Sequence, residues 1–213
     1  MHAQPQVFEG WRDRGSGLAD KWIGSITLLS SLNIFLFVAI SLALAYVSRK
    51  PLRVPGSHGF YRFFAWEAIL ALFLSNVGKW FRDPFSALQI ISWILLFCSI
   101  YLLISGSQIL FTAGKPSRER KDETLFPFEK TTSLVTSGIF KYVRHPLYGA
   151  TLFLAWGIFF KDPASFAGVV LCVAATYLLV ATAKADEREC IRFFGADYEK
   201  YMKRTKMFVP FVF

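Results

Sequence analysis

Apolar residues in this chain come in long blocks joined by short charged or proline-bearing segments. That is the pattern of helices that cross a bilayer, not of a soluble amphipathic bundle. The first block, Ile23 to Val47, is long enough to cross with some tilt and stops at Ser48-Arg49-Lys50-Pro51, a charged joint with a helix breaker. A second, about Tyr61 to Phe81, has Arg62 near one end and Glu67 inside it. A third, about Phe85 to Ala113, turns polar late, at Ser105-Gly106-Ser107-Gln108. One long polar stretch follows, Gly114 to Thr136. Leu147 to Phe160 is short for a crossing and reads as one arm of a tight hairpin, with Lys161-Asp162-Pro163 as the turn and Ala164 to Ala183 as the return. In the charged tail from Lys184 to Tyr201, Ile191, Phe194, Tyr198 and Tyr201 recur at steps of three and four. This spacing predicts a helix with one apolar face, lying along the membrane surface or folded under the bundle. Gly195 within it costs about 1 kcal/mol relative to Ala in a helix interior, so it marks a close approach or a helix break.

The expected fold is therefore all-α: an integral membrane helical bundle of about five transmembrane helices with a C-terminal amphipathic helix. Residues 1–213 read as a single membrane domain, with three spans and a polar loop in 23–133 and the hairpin and tail in 134–213.

Composition agrees with that class. Hydrophobic residues make up 54% of the chain, including 23 Phe, and the mean hydropathy is +0.40, which excludes an ordinary soluble domain. The net charge of +9 is unevenly spread. Five crossings put the termini on opposite sides. Seventeen of the 24 Lys and Arg then lie between the first two blocks, between the third block and Leu147, and after Ala183, all on one side. The positive-inside rule places that side, with the C-terminus and the Arg144-His145 cluster, in the cytoplasm. In such a chain basic residues speak to topology and lipid contact, and nucleic acid is not an expected partner. Cys98, Cys172 and Cys190 are odd in number and far apart, fitting reduced structural thiols and neither a disulfide framework nor a metal spacing. Pro5, Glu9, Asp13 and Asp20 before the first block do not match a cleavable signal peptide.

Two polar clusters carry candidate chemistry. Gly138 to Tyr148 packs Tyr142, Arg144, His145 and Tyr148 directly before an apolar block, where Arg and His are costly without a purpose. Pro146 disfavours helix at His145 and pre-sets the first turn after it, so both basic side chains sit at a helix mouth. An anionic or zwitterionic ligand could be gripped there. The second cluster, Asp186-Glu187-Arg188-Glu189, lies where the last block leaves the membrane. It reads either as a solvated boundary or as a carboxylate facing the Arg-His cluster, able to hold a ribose diol or an ammonium group. Glu67 must be protonated, paired with a base or lining a polar cavity, and Arg62, five residues earlier, is not at ideal pairing distance. No His or Cys falls at ligand spacing from His145, so no metal is expected. A phosphate-binding Gly-rich loop, a dinucleotide fingerprint and a serine-hydrolase elbow are all missing from the sequence.

The run Leu134 to Tyr148, with Thr136, Gly138, Arg144, His145, Pro146 and Tyr148, resembles the membrane-embedded methyltransferases related to isoprenylcysteine carboxyl methyltransferase and phospholipid N-methyltransferase. So does the later block Asp186 to Tyr201, with Glu187, Phe194, Gly195, Tyr198 and Tyr201. Together with the hairpin between them they cover about Leu134 to Pro210. Phe140 stands for the family's usual Tyr, Ala150 for a common Gly, Asp186 for the first Glu and Cys190 for a Leu, changes that keep size or charge roughly in place.

The resemblance implies S-adenosylmethionine bound in the 134–213 region, in a pocket open to the cytosol. Tyr142, His145, Pro146, Tyr148, Asp186 and Glu187 would be the cofactor-binding residues, and Arg144 and Glu187 the catalytic ones. A lipid, lipidated or otherwise hydrophobic methyl acceptor would arrive sideways from the bilayer. Membrane sterol and steroid reductases using NADPH share a similar block and form the alternative. In this chain, however, Leu147, Ala150 and Thr151 stand where that pattern keeps Asn, Gly and Glu. A small non-enzymatic membrane subunit is a third reading, and it predicts no cofactor binding.

Overall fold

The computed structural model describes residues 31–115, 117, 125, 126 and 129–210. The chain divides into two compact units, Met1–Ser41 and Leu42–Phe213. Among the described residues the first unit contributes only the opening of an apolar helix, α1 (Ser31–Val47), and Ile23 to Ser30 of the expected first block lie outside the described residues. The second unit holds α2 (His58–Asn76), α3 (Ala87–Ala113), α4 (Pro146–Phe159), α5 (Phe166–Phe194) and α6 (Ala196–Arg204).

Local chemistry explains where these helices begin. Ser57, Ser86 and Ser165 each stand in extended backbone just before a helix and accept from the N–H of Phe60, Gln89 and Gly168. Each thereby satisfies one of the orphan donors of a first turn. Helix α4 starts on Pro146, whose missing N–H costs nothing there.

Among the described residues three helical stretches are long and apolar enough to cross a membrane: His58–Lys79, Ala87–Ala113 and Phe166–Phe194. They correspond to the second, third and last blocks. The other two apolar helices, Ser31–Val47 and Pro146–Phe159, are shorter. No strand occurs among the described residues, only an isolated parallel bridge between Val143 and Lys206.

Packing runs mainly between α2 and α5 and between α3 and α4. Ala65, Ala155, Ala175 and Ala183 are fully buried, which lets the backbones approach closely. Ser92 Oγ donates to the carbonyl of Gly157 at 2.6 Å and Ser99 Oγ to that of Ala150 at 2.7 Å, fastening α3 along α4. Outward-facing side chains are apolar in the opposite sense from a soluble protein, with Phe81, Phe85, Phe97 and Tyr177 largely exposed. At the hairpin turn Lys161 is buried, its Nζ donating to Gln89 Oε1 at 2.9 Å and lying 3.7 Å from the centre of the Trp93 ring.

The tail departs from expectation. Lys184 to Phe194 is not the start of a separate surface helix but the continuation of α5, because nothing between Ala183 and Phe194 breaks a helix. The break comes at Gly195, whose φ of +59° few other residues tolerate, and α6 then runs as a short separate helix with Tyr198 and Tyr201 buried.

Candidate active site

The segment before α4 is built to present two side chains. A 3-10 turn over Gly138–Lys141 begins on Gly138 at φ +57°, and a Cβ there would lie 2.2 Å from Ile109 Cδ1, so both conformation and space call for glycine. The chain then runs beside the segment after α6. Arg144 N–H donates to the Lys206 carbonyl at 2.8 Å, His145 N–H to that of Met207 at 3.1 Å, and Lys206 N–H to that of Tyr142 at 3.0 Å. The backbone is thus fixed on both sides of the Arg-His pair.

The α4–α5 hairpin brings the acidic cluster against it. Arg144 Nε and Nη2 lie 2.8 and 2.7 Å from Glu187 Oε1, and its Nη1 donates to the Thr205 carbonyl and, at 3.3 Å, to that of Met202. His145 Nδ1 is 3.3 Å from Asp186 Oδ2. Its Nε2 is 3.4 Å from Glu187 Oε1, but in poor alignment, and it is buried without a hydrogen bond. Burial alone would lower the pKa of this imidazole; the carboxylates of Asp186 and Glu187 outweigh that and raise it above 6.5. Its ring stacks on Tyr148, with centroids 5.5 Å apart.

A second set of charges stands behind. His58, fully buried at the start of α2, places Nδ1 2.7 Å from Glu189 Oε2 and donates its backbone N–H to Oε1 at 3.1 Å. Its Nε2 is 3.7 Å from Glu129 Oε2. Glu129 also pairs with Arg62, whose guanidinium lies 4.1 Å from the centre of the Phe126 ring. Arg62 of the second block therefore answers a carboxylate in the polar stretch, and Glu67 is half-buried on α2.

These groups surround a cavity holding roughly 730 Å³ of empty space, its mouth included. One part of the wall is apolar, with Leu110, Leu125, Leu134, Val135 and Leu147; another is aromatic, with Phe140, Tyr148, Phe194, Tyr198 and Tyr201. Glu129, Thr131, Arg144, His145, Asp186 and Cys190 supply the polar groups. Tyr201 is held by its hydroxyl, which donates to the Phe140 carbonyl at 2.6 Å.

Of the residues singled out from sequence, Arg144, His145, Pro146, Tyr148 and Asp186 line this cavity, while Glu187 stands behind them against Arg144 and His145. Tyr142 does not join them; it is half-exposed and lines a separate shallow groove with Tyr101, Ser105 and Gln108. Sequence reasoning missed Glu129, His58 and Arg62 as parts of the same assembly. The available signal was a His and an Arg at one end of an apolar block, where charge is costly. The three cysteines are free thiols, and Cys190 faces the cavity. Among the described residues no group of three or more His, Cys, Asp or Glu is arranged to hold a metal ion.

The phospholipid methyltransferase family matches this chain over residues 89–196, just over half its length. The chain belongs to that family. Its curated relatives include methanethiol S-methyltransferase 1 of Bradyrhizobium diazoefficiens, 28% identical over 162 residues, covering 70% of this chain and 53% of that one. Methanethiol S-methyltransferase 2 of the same bacterium is 40% identical over 83 residues, 38% of this chain and 30% of the relative. Protein-S-isoprenylcysteine O-methyltransferase of Mus musculus is 30% identical over 82 residues, 38% and 29% of the two chains. The chain spans about half the length, or less, of the curated relatives it matches. No solved structure matches it significantly. As a phospholipid methyltransferase family member with three apolar helices of spanning length, it is a membrane protein. The family match takes in Arg144, His145 and the acidic cluster, whereas His58 and Arg62 on α2 and the returning segment at Lys206 lie outside it.

Proposed function

We propose that this protein is a membrane methyltransferase that takes S-adenosylmethionine from the cytosol and methylates a hydrophobic or lipid-attached acceptor. The single observation that carries the reading is the convergence of Arg144, His145, Tyr148 and Asp186 on one cavity at the end of the α4–α5 hairpin, in a member of this family. The donor set suits that cofactor. Asp186 and Glu129 offer acceptors for a ribose diol or an ammonium group, Arg144 and His145 offer donors for a carboxylate, and the Phe194 and Tyr198 rings offer faces for a base.

When bound, that cofactor supplies a methyl group on a sulfonium centre, open to in-line displacement by a nucleophile. The protein's part is alignment and the exclusion of water. Arg144 is held in place by Glu187 and two carbonyls, so it meets a ligand without reordering. His145 is fixed by its backbone bond to Met207 and by Asp186. The apolar wall of Leu110, Leu134, Val135 and Leu147 keeps water from the reacting atoms and suits an acceptor arriving from the bilayer. The acceptor classes this admits are a lipid-borne amine or carboxylate and a small hydrophobic thiol. The excess of Lys and Arg in the polar loops and tail supports a cavity facing the cytoplasm.

Calorimetry on the detergent-purified protein tests this, with S-adenosylmethionine and NADPH titrated separately into wild type, His145→Ala and Glu187→Ala. Binding of the sulfonium cofactor alone, lost in both variants while their folds persist, is the expected outcome. Binding of NADPH instead would move the protein to the reductases, and unchanged affinity in both variants would overturn the site.

A further inference from the structure

A second concave surface lies on a different face of the polar extension of α5. Arg188, Arg192 and Phe193 form one wall, the Val54–Ser57 joint forms the other, and Ala185 lies between them. Arg188 and Arg192 are one turn apart and exposed, and neither has an ion-pair partner among the described residues. Glu189, the carboxylate on this wall, pairs with His58 and balances at most one of the two guanidinium charges. Both of its oxygens are committed to His58, at 3.1 Å to the backbone N–H and 2.7 Å to the ring. The groove therefore carries an uncompensated positive charge.

Its height in the membrane follows from helix geometry. The apolar part of α5, Phe166 to Ala183, spans about 27 Å at 1.5 Å per residue, close to the ~30 Å of a hydrocarbon core. Lys184 then stands at the hydrocarbon edge, with Arg188 and Arg192 about 6 and about 12 Å beyond it. The headgroup layer adds about 5–8 Å to each face of that core, so Arg188 stands within it, while the side chain of Arg192, leaning toward the helix N-terminus, reaches back to it. Phe193 and Val54, 45% and 46% exposed, flank the arginines with apolar surface that water would not favour.

We propose that this groove binds the headgroup of an anionic phospholipid from the adjoining leaflet. Its phosphate lies between Arg188 and Arg192, and its glycerol end rests against Val54 and Phe193. The surplus positive charge selects a headgroup with net negative charge over a zwitterionic one. The proposal rests on membrane embedding alone and is independent of methyl transfer.

The test uses the full chain, delipidated in a neutral detergent and titrated with short-chain phosphatidylglycerol, short-chain phosphatidylcholine and inorganic phosphate, with binding read by native mass spectrometry and thermal midpoint. Phosphatidylglycerol is expected to bind at least about tenfold more tightly than phosphatidylcholine, and Arg188→Gln with Arg192→Gln to weaken it about 30-fold. Equal binding of the two lipids, or unchanged phosphatidylglycerol binding in the double variant, overturns the proposal. So does stabilisation by inorganic phosphate equal to that by phosphatidylglycerol, which would mark a bare phosphate site. The lipid-free thermal midpoint checks the fold of the double variant. If that fold is lost, wild-type binding decides: a steep fall with added salt supports the site, and insensitivity to salt overturns it.

Discussion

Arg144 holds Glu187 through two nitrogens on a single oxygen, Nε and Nη2 at 2.8 and 2.7 Å from Oε1. Both side chains are only 10% exposed, and the remaining Arg144 nitrogen reaches the carbonyls at the end of α6. One pair thus ties α5, α6 and the segment before α4 together. Removing one partner of a buried pair leaves a stranded charge and costs about 3–5 kcal/mol. Glu187→Gln is expected to destabilise the protein by an amount of that order. Arg144→Met combined with Glu187→Leu should cost clearly less than the two single changes added. Denaturant unfolding in detergent measures the coupling, and strict additivity would show that the two groups act independently.

The pH dependence of stability has a definite sign at His145. Its pKa is raised in the native state above the unfolded value, since Asp186 and Glu187 favour the imidazolium despite burial. Its stabilising contribution is therefore complete below about pH 6.5 and fades as pH rises through the higher native value. The gap in thermal midpoint between wild type and His145→Gln should be widest at the acid end and narrow as the solution becomes alkaline. A gap that widens with pH would contradict the geometry.

Gly138 separates two costs in one position. Gly138→Ala meets Ile109 Cδ1 and must also hold φ +57°. The clash is with the tip of a flexible side chain, whereas the left-handed backbone costs roughly 1–2 kcal/mol for any residue with a Cβ. Ile109→Ala in the same chain is expected to recover only the steric part. Full recovery of stability in the double variant would mean the backbone carries no strain.

Glu129 anchors the polar stretch to α2. Glu129→Ala strands the buried Arg62, while His58 keeps Glu189, and should cost about 3–5 kcal/mol, with weaker binding of S-adenosylmethionine because a cavity wall is lost. Arg62→Met with Glu129→Met removes both charges of the pair and is expected to restore most of the stability without restoring the affinity. Thermal unfolding and calorimetry on the same preparations distinguish the two effects.

What the sequence disclosed follows from how local each signal is. The apolar blocks announce α2, α3 and α5 because a spanning helix needs only its own residues, and Pro146 marks the start of α4 for the same reason. The Arg-His and acidic clusters were visible as costly charge at membrane edges. Their partners were less visible. His58 meets Glu189 across 131 residues and Arg62 meets Glu129 across 67, distances at which no periodicity applies. The bridge between Val143 and Lys206 was equally hidden, since neither segment is a strand by itself. The extent of α5 was misjudged because a change from apolar to charged residues marks the membrane surface, not the end of a helix.

The serines of α3 bear on how the chain is assembled. Helix α4, at 14 residues, is about 21 Å long, well short of the ~30 Å that an independent crossing needs. Two of its carbonyls are met by Ser92 and Ser99, seven residues apart on a helix made earlier in synthesis. The place of α4 in the bundle thus depends on a neighbour that meets its polar backbone and on the return stroke of α5. The cavity forms at the mouth of that hairpin, and it comes into being only once the last long helix has been made.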